Sequence, residues 1–326
     1  MLPRAATEFY GLQQRVNATA SAEVGRLWRR MGDDFDASWR RVGPSILAVL
    51  VEAQDQVARA ALDYVPRVLA ETGLRDAPSG EFQPASLVGI ASDGRPLDSL
   101  AYGGVIPAKQ AVADGASTRG GLANGGGWMD LMTKLQVADA ARQAVGVMTT
   151  ARKDIGGTIR VLNPPSCQRC AILAGRFYRW STGFQRHPRC DCVNLPAGSA
   201  GWARAEGFLT DPMDAYRRGE IRDLTEAQKF AIDNGADISG VVNATRGMST
   251  TATSRTVGKR AAKTLPSGAA TPIVAPGMPD LLAGVRQELA RRPKTSAAYP
   301  TPEGIYREAR DRDDAIRLLR HWGYLT

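Results

Sequence analysis

Apolar residues recur every three or four positions through the first 42 residues, and this spacing constrains the fold more than any other feature. The recurring residues are Ala5, Phe9, Leu12, Val16, Ala20, Val24, Leu27, Met31, Phe35, Trp39 and Val42. Their spacing is that of one face of an α-helix, and Gly25 and Gly32 are expected to divide it. A further helix is predicted from a cap at Ser45, with a kink at Pro66 and an end at Gly73. Long helices with one apolar face must pack on each other or on a partner protein.

The rest of the chain predicts an α+β protein whose N-terminal half is mainly helical. The glycine-rich run at residues 120–127 indicates a flexible connector, followed by a helix at 128–152. Strands are predicted at 158–162, 176–180 and 190–195, and helices at 212–218 and 225–234. Further helices are predicted at 280–292, 301–310 and 313–322.

These patterns divide the chain into four parts. Residues 1–153 form a helical domain, and residues 154–238 form a small α+β module that contains every cysteine. Residues 239–279 are rich in Ser, Thr, Ala and Gly, with basic but no acidic residues, which predicts a flexible basic linker. Residues 280–326 are predicted to form short C-terminal helices.

Charge is distributed unevenly along the chain, which has 326 residues and a formal net charge of +9. Residues 1–150 carry 15 basic and 16 acidic residues, whereas residues 151–326 carry 27 and 17. The second half is therefore expected to lie near anions, although a solvated basic face explains the excess equally simply. The N-terminus has no apolar signal segment, and the longest apolar run, residues 46–51, is too short for a membrane span. We therefore expect a soluble protein made in a cytosol, with reduced thiols.

All four cysteines lie within 26 residues, beside one of the two histidines. Cys167 and Cys170 form one pair, and His187 with Cys190 and Cys192 forms a second group. These five residues are candidate ligands for a tetrahedral zinc, whose site would be closed and therefore structural. Two alternatives remain open: a cluster of buried reduced thiols, and a disulfide formed in an oxidising medium. A redox Cys-x-x-Cys or a cysteine hydrolase explains fewer of these residues.

Basic and aromatic residues alternate around the cysteines. Arg176, Arg179, Arg186 and Arg189 are candidates for contact with nucleic-acid phosphates. Arg255, Lys259 and Arg260 of the predicted linker are further candidates. Aromatic residues 177, 178 and 180 are interpreted as the core of the small module.

Two segments resemble a known family. The stretch Asn-Pro-Pro-Ser-Cys-Gln-Arg-Cys-Ala-Ile-Leu-Ala-Gly-Arg-Phe-Tyr at 163–178, then Arg-His-Pro-Arg-Cys-Asp-Cys at 186–192, is similar to the MuF-like minor head proteins of tailed phages. The last 25 or so residues are similar to the tails of such proteins in phages of actinobacteria. The specific likeness covers residues 158–195 and this tail, and the N-terminal half matches in character only.

The resemblance implies a structural protein of the phage head, also called a head morphogenesis protein. It implies partners in the portal, scaffold and major capsid proteins, and a place inside the capsid near packaged DNA, after assembly in the host cytoplasm. Two other functions stay open. A capsid maturation protease is one, although no catalytic residues are evident, and a zinc-containing DNA-binding module is the other.

Overall fold

The fold is known from a computed structural model that describes residues 2–162, 164–182, 192–209, 211–248 and 299–326. Three long helices dominate the N-terminal half: α1 (Arg4–Trp28), α2 (Phe35–Glu71) and α5 (Thr118–Thr150). Two short helices, α3 (Leu97–Ala101) and α4 (Val105–Ala113), and 3₁₀ turns at Pro84–Leu87 and Tyr102–Gly104 connect α2 to α5. Each long helix packs on the other two, so their apolar faces are largely covered by one another.

The N-cap of α2 is Asp34 rather than Ser45, so the expected cap at Ser45 is wrong and the helix begins well before it. The carboxylate of Asp34 accepts a hydrogen bond from the backbone N–H of Ala37 and caps the first turn. The helix then continues through both Pro44 and Pro66. Each proline removes one backbone hydrogen bond, but the apolar face buried on both sides of it is continuous, and packing supplies most of a helix's stability in a protein. The predicted end at Gly73 is confirmed, because that residue has φ +68°.

The glycine-rich run at 120–127 is helical, so its prediction as a flexible connector is wrong. Ser117 caps α5 by accepting from the N–H of Gly120, and the run forms the first turns of the helix. A Cβ on Gly121 would lie 2.7 Å from the carbonyl oxygen of Ala108, and one on Gly125 would lie 2.6 Å from the Trp28 ring. Here the glycines are present because neighbouring backbone and rings approach the helix closely, and this packing outweighs the low helix propensity of glycine.

A three-stranded antiparallel sheet follows the helical half. Its strands are β1 (Gly157–Val161), β3 (Phe177–Arg179) and β4 (Val193–Ala197), with β1 in the centre. Ile159 lies opposite Phe177 on one side and Leu195 on the other. All residues of β1 and β4 are buried, so both faces of these strands are covered. The first two predicted strands are confirmed within two residues at each end, whereas the third begins at Val193 rather than at 190.

The remaining elements of the second half are short. They are β2 (Ser166–Cys167), α6 (Gln168–Ala171), α7 (Ala200–Ala205), α8 (Pro212–Arg217), β5 (Ile221–Arg222), α9 (Glu226–Asp233), α10 (Ile238–Met248), α11 (Pro302–Glu308) and α12 (Arg312–His321). The helices predicted at 212–218, 225–234, 301–310 and 313–322 are confirmed. Residues 239–248, predicted as the start of a linker, belong to α10. The rest of that linker and the predicted helix at 280–292 lie outside the described residues.

One buried cluster joins the helical half, the sheet and the C-terminal segment. It contains residues of α1, α2 and α5, the sheet residues Ile159 and Leu195, and the C-terminal residues Ile305 and Leu319. The C-terminal segment is held further by Arg312, which donates to three backbone carbonyls just after α5. The predicted domain boundaries at 153 and 238 stay predictions. In coarse terms the α+β class is confirmed as a mostly helical protein with a small antiparallel sheet.

The described ranges contain no helix that is long and apolar enough to cross a membrane.

Candidate functional site

The Cys-x-x-Cys sequence forms a tight turn at the start of α6. Cys167 ends the short strand β2, which pairs in parallel with β5, and it is also the N-cap residue of α6. Its Sγ accepts a hydrogen bond from the backbone N–H of Cys170 at 3.3 Å. Cysteine thus occupies a position where a side-chain acceptor satisfies a free helical N–H, and both thiols sit on a single turn.

Cys192 belongs to the same cluster from a later part of the module. It directly precedes β4, and it is buried with Cys170 in a small cluster that also contains Leu162 and Ala174. Cys167 packs against this cluster from its edge. Three of the five predicted metal ligands therefore lie in this cluster or against it, although Cys192 is well separated from the other two in the sequence. The other two, His187 and Cys190, lie outside the described residues.

The donors that are gathered here suit zinc, because thiolate sulfur is a preferred zinc ligand. Within the described ranges, no three His, Cys, Asp or Glu side chains stand close enough together to hold a metal ion by themselves. A four-coordinate site at this cluster would therefore draw on His187 or Cys190. Cys170 and Cys192 share one buried cluster, against which Cys167 packs, and zinc binding itself stays a prediction.

A buried arginine lies beside the cysteine cluster. Arg160, in the middle of β1, is 0% exposed, and its guanidinium carbon lies 5.9 Å from the centre of the Tyr178 ring. The pKa of Tyr178 is raised by burial; Arg160 and Arg176 act to lower it, and Cys192 acts to raise it. Sequence reasoning missed Arg160, although a charged residue in a strand of otherwise apolar alternation was an available signal.

The predicted nucleic-acid contacts are only partly described. Arg176, directly before β3, and Arg179, its last residue, are exposed. Arg186, Arg189, Arg255, Lys259 and Arg260 lie outside the described residues. Most of the positive charge of the second half also lies outside the described residues. The described part of 151–326 carries 17 basic and 14 acidic residues. Residues 183–191 and 249–298 together carry 10 basic and 3 acidic residues, so most of the basic excess lies in those two segments.

Two of the three aromatic residues at 177–180 pack mainly toward the helices rather than into a separate small core. Phe177 and Trp180 are partly buried against the large cluster that includes α2 and α5. Trp180 meets the Tyr306 ring edge-on, with 6.4 Å between ring centres, and the Arg312 guanidinium stacks 5.2 Å from the Trp180 ring centre. These residues are therefore more than the core of the small module, because they also join the module to the C-terminal segment.

A polar cleft between α5, the sheet and α11 was not predicted from the sequence. Its lining residues are Arg142, Gln143, Gly146, Thr149, Thr158, Arg179, Trp180, Asn194, Glu303 and Tyr306. Arg142 is buried and forms an ion pair with Asp139 at 2.7 Å, and Gln143 donates to Glu303 at 3.0 Å. An Asp and an Arg three positions apart inside a buried helical stretch are the only sequence signal for it.

Comparison of the chain with protein-family models, with curated proteins and with solved structures finds no match.

Proposed function

We propose that this chain is a minor head protein of a tailed phage, with a structural role in head assembly beside the portal. The observation that supports the proposal best is that Cys170 and Cys192 share one buried cluster, against which Cys167 packs. These residues belong to the motif on which the likeness to MuF-like proteins rests. A motif whose distant cysteines meet in the fold is more specific than the same residues scattered over a surface.

The proposed cofactor is one structural zinc. Three thiolates, or four with Cys190, and the imidazole of His187 supply the candidate ligands. When bound, zinc would contribute to stability by linking the turn at Cys167–Cys170 to the start of β4. A metal link of this kind would stabilise the module.

The proposed partners follow the division of the molecule. The three long helices form a nearly neutral unit that suits contact with the portal, scaffold or major capsid protein. The basic segments at 183–191 and 249–298, with the exposed Arg176 and Arg179, suit contact with packaged DNA. The proposed location is the capsid interior, reached from the host cytoplasm during assembly.

Procapsid assembly tests the proposal. The chain would be co-expressed with the portal, scaffold and major capsid proteins encoded beside it, and the assembled particles purified. We expect the chain in the particles at a few copies and only when portal is present, with the major capsid protein uncleaved.

Exclusion of the chain from the particles would refute the proposal. Cleavage of scaffold or capsid protein that depends on this chain would favour the maturation protease instead. Strong, salt-dependent DNA binding without any particle association would favour the DNA-binding module.

A further inference from the structure

Strand β3 lies at one edge of the three-stranded sheet. It pairs with β1 on its inner side, and within the described ranges no strand pairs with its outer side. Apart from β1, no element in the described part of the chain lies broadly along β3. An uncovered edge of this kind presents backbone N–H and C=O groups to which a further strand can bond.

The backbone hydrogen bonds show which groups of β3 face outward. The N–H of Trp180 donates to the Gly156 carbonyl at 3.1 Å. Successive residues of a strand direct their backbone groups to opposite sides, so Phe177 and Arg179 direct theirs away from β1. The Arg179 carbonyl accepts from the N–H and the hydroxyl of Thr182. The N–H groups of Phe177 and Arg179 and the Phe177 carbonyl remain for a partner, since no residue of the described ranges bonds to them.

The outer edge of β3 also carries positive charge. Arg176 and Arg179 are both exposed, and neither side chain forms an ion pair with a residue that the structure describes. Burial lowers the pKa of Arg312, and the charge of Arg179 lowers it further, although three aspartates act to raise it. The charge of Arg179 is therefore felt by its neighbours instead of being neutralised.

This charge indicates the chemistry of the partner. Charged residues beside an edge strand commonly prevent two copies of a protein from pairing through it. A second copy of this chain would set arginine against arginine, which is unfavourable, whereas a strand with acidic residues would gain from the same charges. Nucleic acid would satisfy the arginines, but its phosphate backbone does not supply the alternating N–H and C=O groups that the open edge bonds.

We propose that the outer edge of β3 binds an extended acidic segment of another protein, which adds a fourth strand to the sheet while its carboxylates pair with Arg176 and Arg179. The inference depends neither on a role in the phage head nor on zinc. For these two arginines it replaces the packaged DNA of the proposed function with a protein partner, and the test separates the two.

Peptide binding to the full-length chain tests the inference. The probe is a short dye-labelled peptide of alternating valine and glutamate, and its affinity is measured by fluorescence anisotropy. One control peptide has lysine in place of glutamate. A second keeps the glutamates but is N-methylated at alternate amides, so that it keeps the charge and cannot donate along one edge. A single-stranded oligonucleotide is the nucleic-acid probe.

Two charge reversals, Arg176→Glu and Arg179→Glu, test the arginines. Arg119→Glu is the matched control, because Arg119 is also exposed but lies in the first turn of α5, whereas the sheet meets the other end of that helix. Hydrogen exchange of residues 176–180 reports on the edge itself, since strand addition protects the outward N–H groups.

We expect the acidic peptide to bind and to slow exchange in residues 176–180. Each reversal at β3 should weaken binding by about 10-fold or more, N-methylation should weaken it by a similar factor, and Arg119→Glu should leave it unchanged. The lysine peptide should not bind.

Three results overturn the inference. One is an acidic peptide that does not bind, and another is an N-methylated peptide that binds as tightly as the parent, because charge alone would then explain the affinity. The third is protection of residues 176–180 by the oligonucleotide or by a second copy of the chain in place of the peptide. If a charge-reversal variant fails to fold, the comparison of the two acidic peptides on the wild-type chain still decides.

Discussion

Adding one methyl group to Gly125 should destabilise the protein, whereas adding one to Gly127 should stabilise it. Both residues lie in α5, two positions apart. A Cβ on Gly125 would lie 2.5 Å from the Gly104 carbonyl oxygen and 2.6 Å from the Trp28 ring, whereas one on Gly127 would have no heavy atom from outside its own stretch of helix within 4 Å. The two substitutions change the helix propensity equally, so they differ only in packing.

The magnitude follows from two opposing effects. Replacing glycine by alanine inside a helix favours the folded state by about 1 kcal/mol. Overpacking a filled site costs about 1–3 kcal/mol, and the upper half of that range applies because the first contact is with backbone, which cannot rotate away. We therefore expect Gly125→Ala to lower the free energy of unfolding by about 1–2 kcal/mol after the gain in helix propensity is included. Gly127→Ala should raise the free energy of unfolding by up to about 1 kcal/mol.

Urea denaturation monitored by circular dichroism measures the difference. The urea concentration at half-unfolding should fall for Gly125→Ala and rise for Gly127→Ala. The dependence of the unfolding free energy on urea concentration should be unchanged in both variants. Equal shifts of the same sign would refute the reasoning, because they would mean that residues 120–127 do not pack against Trp28 and the segment before α4.

Three further changes test other contacts. Tyr64→Phe removes a buried hydrogen bond of 2.8 Å from the hydroxyl to the Asn194 carbonyl. Chemical denaturation should show that the free energy of unfolding falls by about 1–2 kcal/mol. Tyr216→Phe, at an exposed hydroxyl, should change it little. Arg312→Lys loses the planar group that donates to three carbonyls after α5, so proteolysis should release the C-terminal segment faster; unchanged protection would contradict that role. Asp314 has its pKa lowered from 3.8 to about 2, chiefly by the hydrogen bond from the Arg317 side chain. Its contribution to stability is therefore complete above pH 4 and is lost as the pH falls toward 2, and an NMR titration midpoint near 4 would contradict it.

Periodicity predicted the helical half well because the apolar face of each long helix is buried along its whole length. It failed where close packing overrides local propensity. Pro44 and Gly125 both read as helix breakers in isolation, and both lie within helices because neighbouring elements stabilise them. No local pattern shows that Trp28 will pack against Gly125.

The proximity of three cysteines was predictable from the sequence, but their surroundings were not. Cysteine spacing indicated that residues 167, 170 and 192 belong together, and in the fold Cys167 packs against a cluster that contains the other two. The neighbouring Arg160 and the polar cleft at Arg142 depend on strand register and on the return of the C-terminal segment. Those are long-range contacts, for which sequence spacing carries no information.

The mass of the intact chain under native conditions tests the central claim most directly. We predict one zinc per folded chain, lost together with stability in Cys167→Ser, since that thiol both caps α6 and is a proposed ligand. A wild-type chain that is metal-free and as stable as one supplied with zinc would contradict the account.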